Sequence, residues 1–118
     1  MAERVYQHTI FLGPTLAANH TAVFTVPFDC QLIHVSHVNS TTNQGTLDIG
    51  TTSDDDAYLD GVTIGELDVP VEEDRDDFVG EQFPHIARGT VVVITLDYDG
   101  ASGTATANFT LALTFTDV

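Results

Sequence analysis

At 118 residues, with an apolar fraction of 42% and a net charge of −15, the chain is long enough for one buried core and too apolar for a disordered acidic tail. Its 18 acidic residues face three arginines (Arg4, Arg75, Arg88) and no lysine; this excludes partners that are read through their phosphates, nucleic acids and anionic membrane surfaces alike. No apolar run approaches the roughly 20 residues that cross a bilayer. Met1-Ala2-Glu3-Arg4 is not followed by an apolar run either, so no signal peptide is expected.

In chain order, Arg4–Leu12 predicts a strand that stops at the breaker Gly13-Pro14, making residues 1–14 an N-terminal arm or edge strand. His20–Val26 follows, with Ala22, Phe24 and Val26 on one face, and ends at Pro27. Cys30–Val38 places Ile33 and Val35 inward and runs into the polar loop Asn39–Gly45, and Thr46–Gly50 is a short strand with Leu47 and Ile49 on one side. Ser53 can cap a short helical turn through Leu59, since Asp54, Asp55 and Asp56 suit a positive N-terminal end, with Gly61 closing it. Val62–Val71 predicts weak strand and loop. Glu72–Asp77 is too charged for a core and predicts an exposed loop or edge, and Phe83–Arg88 a short extended piece. Thr90–Asp97 is a buried strand, joined through the turn Tyr98–Gly103 to the last one.

That last strand is the clearest feature. Ala105, Ala107, Phe109, Leu111, Leu113 and Phe115 alternate almost perfectly with threonines and Asn108, giving one apolar stripe with a largely polar back. Such a strand needs a sheet beside it and a second layer over its stripe. Seven to eight short strands with Gly, Pro and Asp turns predict an all-β chain: a single antiparallel β-sandwich over residues 1–118, jelly-roll-like.

The motifs argue against chemistry. An EF-hand loop started at Asp54 puts Tyr58 at the fifth ligand position, and one started at Asp55 puts Ala57 and Leu59 at the third and fifth. A looser group of Asp54, Asp56 and Asp60 is the residual metal candidate, against the simpler reading of a solvated acidic loop. His34 and His37, three apart on a strand, point to opposite faces and do not share a metal. Ser36, Ser40, Ser53 and Ser102 lie in no nucleophile-elbow context, and no phosphate-binding glycine motif occurs. Cys30 has no partner cysteine and reads as a small core residue. The sequons at Asn19, Asn39 and Asn108 read as incidental in a threonine-rich chain. An enzyme is not expected, and no cofactor.

The segment Phe24–Asp60 carries a family likeness. It runs from Phe24-Thr25-Val26-Pro27-Phe28 through the apolar strand ending at Val38 to Thr46-Leu47-Asp48-Ile49-Gly50 and an acidic turn, Asp54–Gly61. This resembles the small β-sandwich auxiliary proteins of tailed viruses, the bacteriophages among them: capsid decoration (cement) proteins and related virion spikes. The lack of lysine beside many aspartates and threonines resembles proteins of salt-loving organisms and their viruses. The first resemblance implies a non-enzymatic virion protein on the capsid surface, with the major capsid protein and further copies of itself, as a homotrimer, for partners. Candidate contacts are Val5, Tyr6, His8, Ile10 and Phe11 in the N-terminal segment, and Phe78, Phe83 and Pro84. The alternatives are a receptor- or carbohydrate-binding spike or tail-fibre module, and a small tail or connector subunit.

Overall fold

A computed structural model describes residues 4–42, 45–97 and 105–118. Nine strands lie among the described residues: β1 (Val5–Thr15), β2 (His20–Thr25), β3 (Cys30–Val38), β4 (Thr46–Thr51), β5 (Leu59–Thr63), β6 (Val71–Glu73), β7 (His85–Ile86), β8 (Val91–Asp97) and β9 (Ala107–Asp117). All pairings are antiparallel, in one sheet of order β1-β9-β3-β6, with β7 also on β3, and a second of order β2-β8-β4-β5. Each sheet interleaves early and late strands, the double Greek key of a jelly roll. The strand number exceeds the expected seven to eight because β6 and β7 share one place beside β3. Residues 74–84 leave the sheet between them, opposite only Leu32–His34.

The apolar alternation of β9 sets the core. Phe109, Leu111, Leu113 and Phe115 are buried, together with Leu32 and Val35 of β3; facing them from the other sheet are Leu47, Ile49, Leu59, Val92, Ile94 and Leu96. At roughly 1.5–3 kcal/mol for each large side chain removed from water, this layer dominates the stability of the fold. Ala105 falls outside the stripe: the strand begins at Ala107, and Thr106 is the buried residue before it. The turn Tyr98–Gly103 and Thr104 lie outside the described residues, as do Asn43 and Gln44 of the polar loop.

Four local expectations are corrected. Gly13-Pro14 does not end the first strand: β1 continues to Thr15 across an irregularity where three steps from Leu12 oppose two from Phe109, and Asn108 opposite it has φ 51°. A bulge absorbs the proline at the end of an edge strand. Ile33 does not point inward beside Val35, because β3 carries an extra residue between Leu32 and His34; Cys30 and Leu32 are inward before it, Val35 and His37 after it. Residues 53–58 are turns and bends rather than a helical turn, and Leu59 already belongs to β5. There Asp54 O accepts from both Thr51 N (2.8 Å) and Ala57 N (3.2 Å), folding the segment back on Gly50, where a Cβ would collide with the backbone of Asp54 and Ala57. The fourth correction is Glu73: the acidic run does form an edge, but Glu73 is 3% exposed.

Candidate functional site

Three places in the fold could bear function: a buried polar knot, an acidic turn and the flank formed by β1 and β2. The knot follows from the bulge in β3, which turns His37 inward. On β6, Val71 and Glu73 take the inward phase and Glu72 the outward one, so Glu73 lies diagonally beside His37. His37 is 1% exposed; its Nε2 is 2.7 Å from Glu73 Oε1, and the Gly65 backbone N–H donates to its Nδ1 at 3.2 Å. Nδ1 is therefore the acceptor, and the ring proton sits on Nε2, donating to Glu73. Around it, Asn39 N and Nδ2 both donate to Gly65 O (2.8 and 2.9 Å), and Asn39 Oδ1 accepts from Thr41 N and Oγ1 (2.9 and 2.6 Å). Gly65 has no room for a side chain, since a Cβ would lie 2.5 Å from Val69 O and 2.7 Å from His37 O. The knot ties the connection between β5 and β6 to the end of β3. Asn39, in a sequon, is buried in it. His34 is on the outer face, Nε2 2.9 Å from Glu72 Oε1, so the two histidines serve separate carboxylates.

The acidic turn brings Asp54, Asp55 and Asp56 together, with ligand atoms within 4.8 Å of one another; Asp55, not Asp60, is the third member. A hydrogen bond to Asp54, followed by desolvation and the charges of Asp60, Asp54 and Asp55, pushes the Asp56 carboxyl up to about 6. Asp48, on the neighbouring strand, is also pushed up, by burial and by Asp55, Asp60 and Asp97, while Gly61 N donates to its Oδ1 at 2.6 Å.

On the flank, Val5 (64%) and Phe11 (63%) are exposed on the outer face of β1. Tyr6, His8 and Ile10 lean inward and are half-buried. Tyr6 Oη meets His8 Nδ1 at 3.0 Å, and His8 stacks on Phe24 of β2 at 3.9 Å and 10°, so β1 lies directly over β2. Phe24 and Tyr6 in turn meet Phe115 of the core. Burial holds His8 below its usual value. Phe24 joins β2 to this cluster, as its alternation with Ala22 and Val26 leads one to expect.

The contacts expected on residues 78–84 are rearranged. Phe78 is 2% exposed and packs in the core near Phe83, which removes it from any surface offered to a partner. Phe83 and Pro84 are half-buried, and Pro84 O accepts from Leu32 N at 3.0 Å. Surface hollows among the described residues include one of about 430 Å³ between Thr63 and Val71, lined by Glu66, and one of about 320 Å³ beside Asp29, Cys30 and His85. Burial, then Asp29 and Asp117, push the Cys30 thiol up, the opposite of what a nucleophile needs.

No family model matches the sequence, and no curated protein is similar to it. Among solved structures, the chain is similar to one from the capsid asymmetric unit of cyanophage Pam1, with a TM-score of 0.62 and 14% identity over 98% of this chain and 85% of that one. It is also similar to a chain in the acid-stable capsid structure of Helicobacter pylori bacteriophage KHP30, with a TM-score of 0.47 and 11% identity over 94% and 93% of the two chains. The Pam1 likeness shows that the whole β-sandwich, from β1 to β9, is a fold also found in a phage capsid.

Proposed function

We propose that this chain is a non-enzymatic viral structural protein that decorates and stabilises the outside of an icosahedral capsid, as an oligomer and most simply a trimer. The observation that carries this reading is the fold shared along 98% of the chain with a chain from a phage capsid. The order of motifs from Phe24 to Gly61 supports it independently. Its partners on this reading are the major capsid protein and further copies of itself. A carbohydrate-binding spike module is less well supported, because Tyr6, Phe24 and Tyr58 are half-buried rather than displayed as a sugar platform. The acidic, lysine-free surface fits a virus of a salt-loving host.

Quantitative mass spectrometry of purified particles tests the reading by counting this chain against the major capsid protein. About one copy per capsid subunit is expected. A few copies per particle would move the assignment to a spike, fibre or connector, and absence from the particle would remove it.

A further inference from the structure

The charge of this protein is segregated. No charged residue lies between Arg4 and Asp29, or between Asp29 and Asp48, and every acidic residue except Glu3, Asp29 and Asp117 falls between Asp48 and Asp99. The fold converts this into a division of the molecule. β1 and β2 are the edges of the two sheets on one flank; β5 and the β6–β7 pair are the edges on the other. The far edges are guarded in the ways that keep strands from pairing with strangers. β5 is five residues long, with Asp60 and a positive φ at Gly61, and β6 carries Glu72 and is interrupted by the 74–84 excursion. The near edges have no such guard over most of their length. β1 runs from Val5 to Leu12 without a charge, proline or bulge and is paired on one side only, among the described residues, while β2 is wholly uncharged. At the two rims of this flank stand Val5 and Phe11, on the outer face of β1, and Val23, on the outer face of β2, each over 60% exposed. A long, uncharged, apolar edge left open is an aggregation hazard that native proteins cover.

We infer that the β1–β2 flank is covered by a second copy of this chain, with the free edge of β1 contributing backbone pairing to it. The electrostatics select this occupant. Two molecules of net charge −15 repel over most of their surfaces, and this flank is where they can meet with their acidic edges turned away, beyond the roughly 8 Å over which charges act at physiological ionic strength. The size fits as well: a strand of this length spans about 37 Å and the sandwich is 24 Å through, so the flank offers roughly 900 Å² against the roughly 800 Å² per partner of a standard interface. This names the interface of the oligomer proposed above and rests on that oligomeric reading, not on the attachment to a capsid.

The test uses the purified full chain alone. Light scattering with size exclusion reads its mass, and hydrogen exchange reads the β1 amides. An oligomer with β1 amides protected like those of an internal strand is expected. Phe11→Asp and Val23→Asp, both at exposed positions that leave the core intact, should each weaken self-association about a hundredfold or more, as an unpaired charge buried in an interface does. Val69→Asp, on the opposite flank, should leave it unchanged. A monomeric chain at 100 µM overturns the inference, as does an oligomer that Val69→Asp disrupts and Phe11→Asp does not. Protection of β1 that appears only on particles would make the shell the occupant, overturning the inference while the capsid reading stands. An oligomer dissociated by Phe11→Asp in a chain absent from particles would leave the inference standing and remove the capsid reading.

Discussion

Glu73 and Asp56 show what decides the role of a carboxylate in a chain this acidic. Glu73 lies on β6, inside the sandwich, where His37 donates to it and Gly65 fixes the imidazole from the other side. Asp56 lies in the surface turn after β4, where its nearest polar company is Asp54, Asp55 and Asp60. One acid has a dedicated donor and holds two strands and a loop together. The other has only its own kind, and eases the repulsion by keeping a proton into a range where an isolated aspartate has lost it. Glu73 is the more deeply buried of the two and still the well-partnered one, so it is the nearest hydrogen-bonding group that sets the role of each acid.

The comparison breaks most readily at the knot. Glu73→Ala or His37→Ala leaves a buried polar partner unsatisfied and should cost about 2–4 kcal/mol by urea denaturation, whereas Glu73→Gln, whose amide oxygen still accepts from His37, should cost less than about 1.5 kcal/mol. Equal costs for the alanine and glutamine variants would mean that acceptor chemistry is not what the site uses. A smaller effect comes from the repulsion of the acidic face as a whole. At molar salt the Debye length falls to about 3 Å, so the thermal midpoint should climb by several degrees from dilute buffer to 1 M KCl; a flat response would remove the high-salt reading.

The smallest effect isolates the turn. With its folded pKa raised to about 6 above an ordinary aspartate, Asp56 binds its proton more tightly in the folded chain than in the unfolded one. Its contribution to stability is therefore fully present below the unfolded value and is lost as the pH rises through about 6. Asp56→Asn should remove that decline and leave the variant the more stable protein above pH 6. An NMR titration of the Asp56 carboxyl, expected to have its midpoint near 6, checks the premise directly.

Much of the architecture was legible, and for a definite reason. In β9 the apolar residues Ala107, Phe109, Leu111, Leu113 and Phe115 alternate with polar ones, broken only by the small Ala112, and with one layer of sheet to cover it that period admits a single orientation. Strands that break phase were not legible. The bulge at Ile33 reverses which residues of β3 face the core, and nothing in Leu32-Ile33-His34 announces it, since three side chains in a row are compatible with either phase. At Glu73 the composition of the run masked its period: Val71 and Glu73 share one face and Glu72 the other, but six charges in succession read as solvated. Phe78 misled in the opposite way. The residues before it are exposed and acidic and Val79 after it is exposed, and only the return of the 74–84 excursion to the sheet, with Asp74 and Asp77 capping its first turn, buries the ring. The flank formed by β1 and β2 needed the topology, because the two edges are brought together by pairings with β9 and β8, far along the chain.

The gathering of nearly all the acidic residues between Asp48 and Asp99 gives the molecule a permanent dipole as well as a net charge. A body with both is turned as well as repelled when it nears another negative surface. The torque swings β5 and β6 outward and brings β1 and β2 forward, so orientation is decided during diffusion, before any atoms touch. In dilute buffer this steering reaches across tens of ångströms; in concentrated salt it shrinks to a few, and the same molecules must find their alignment by collision alone.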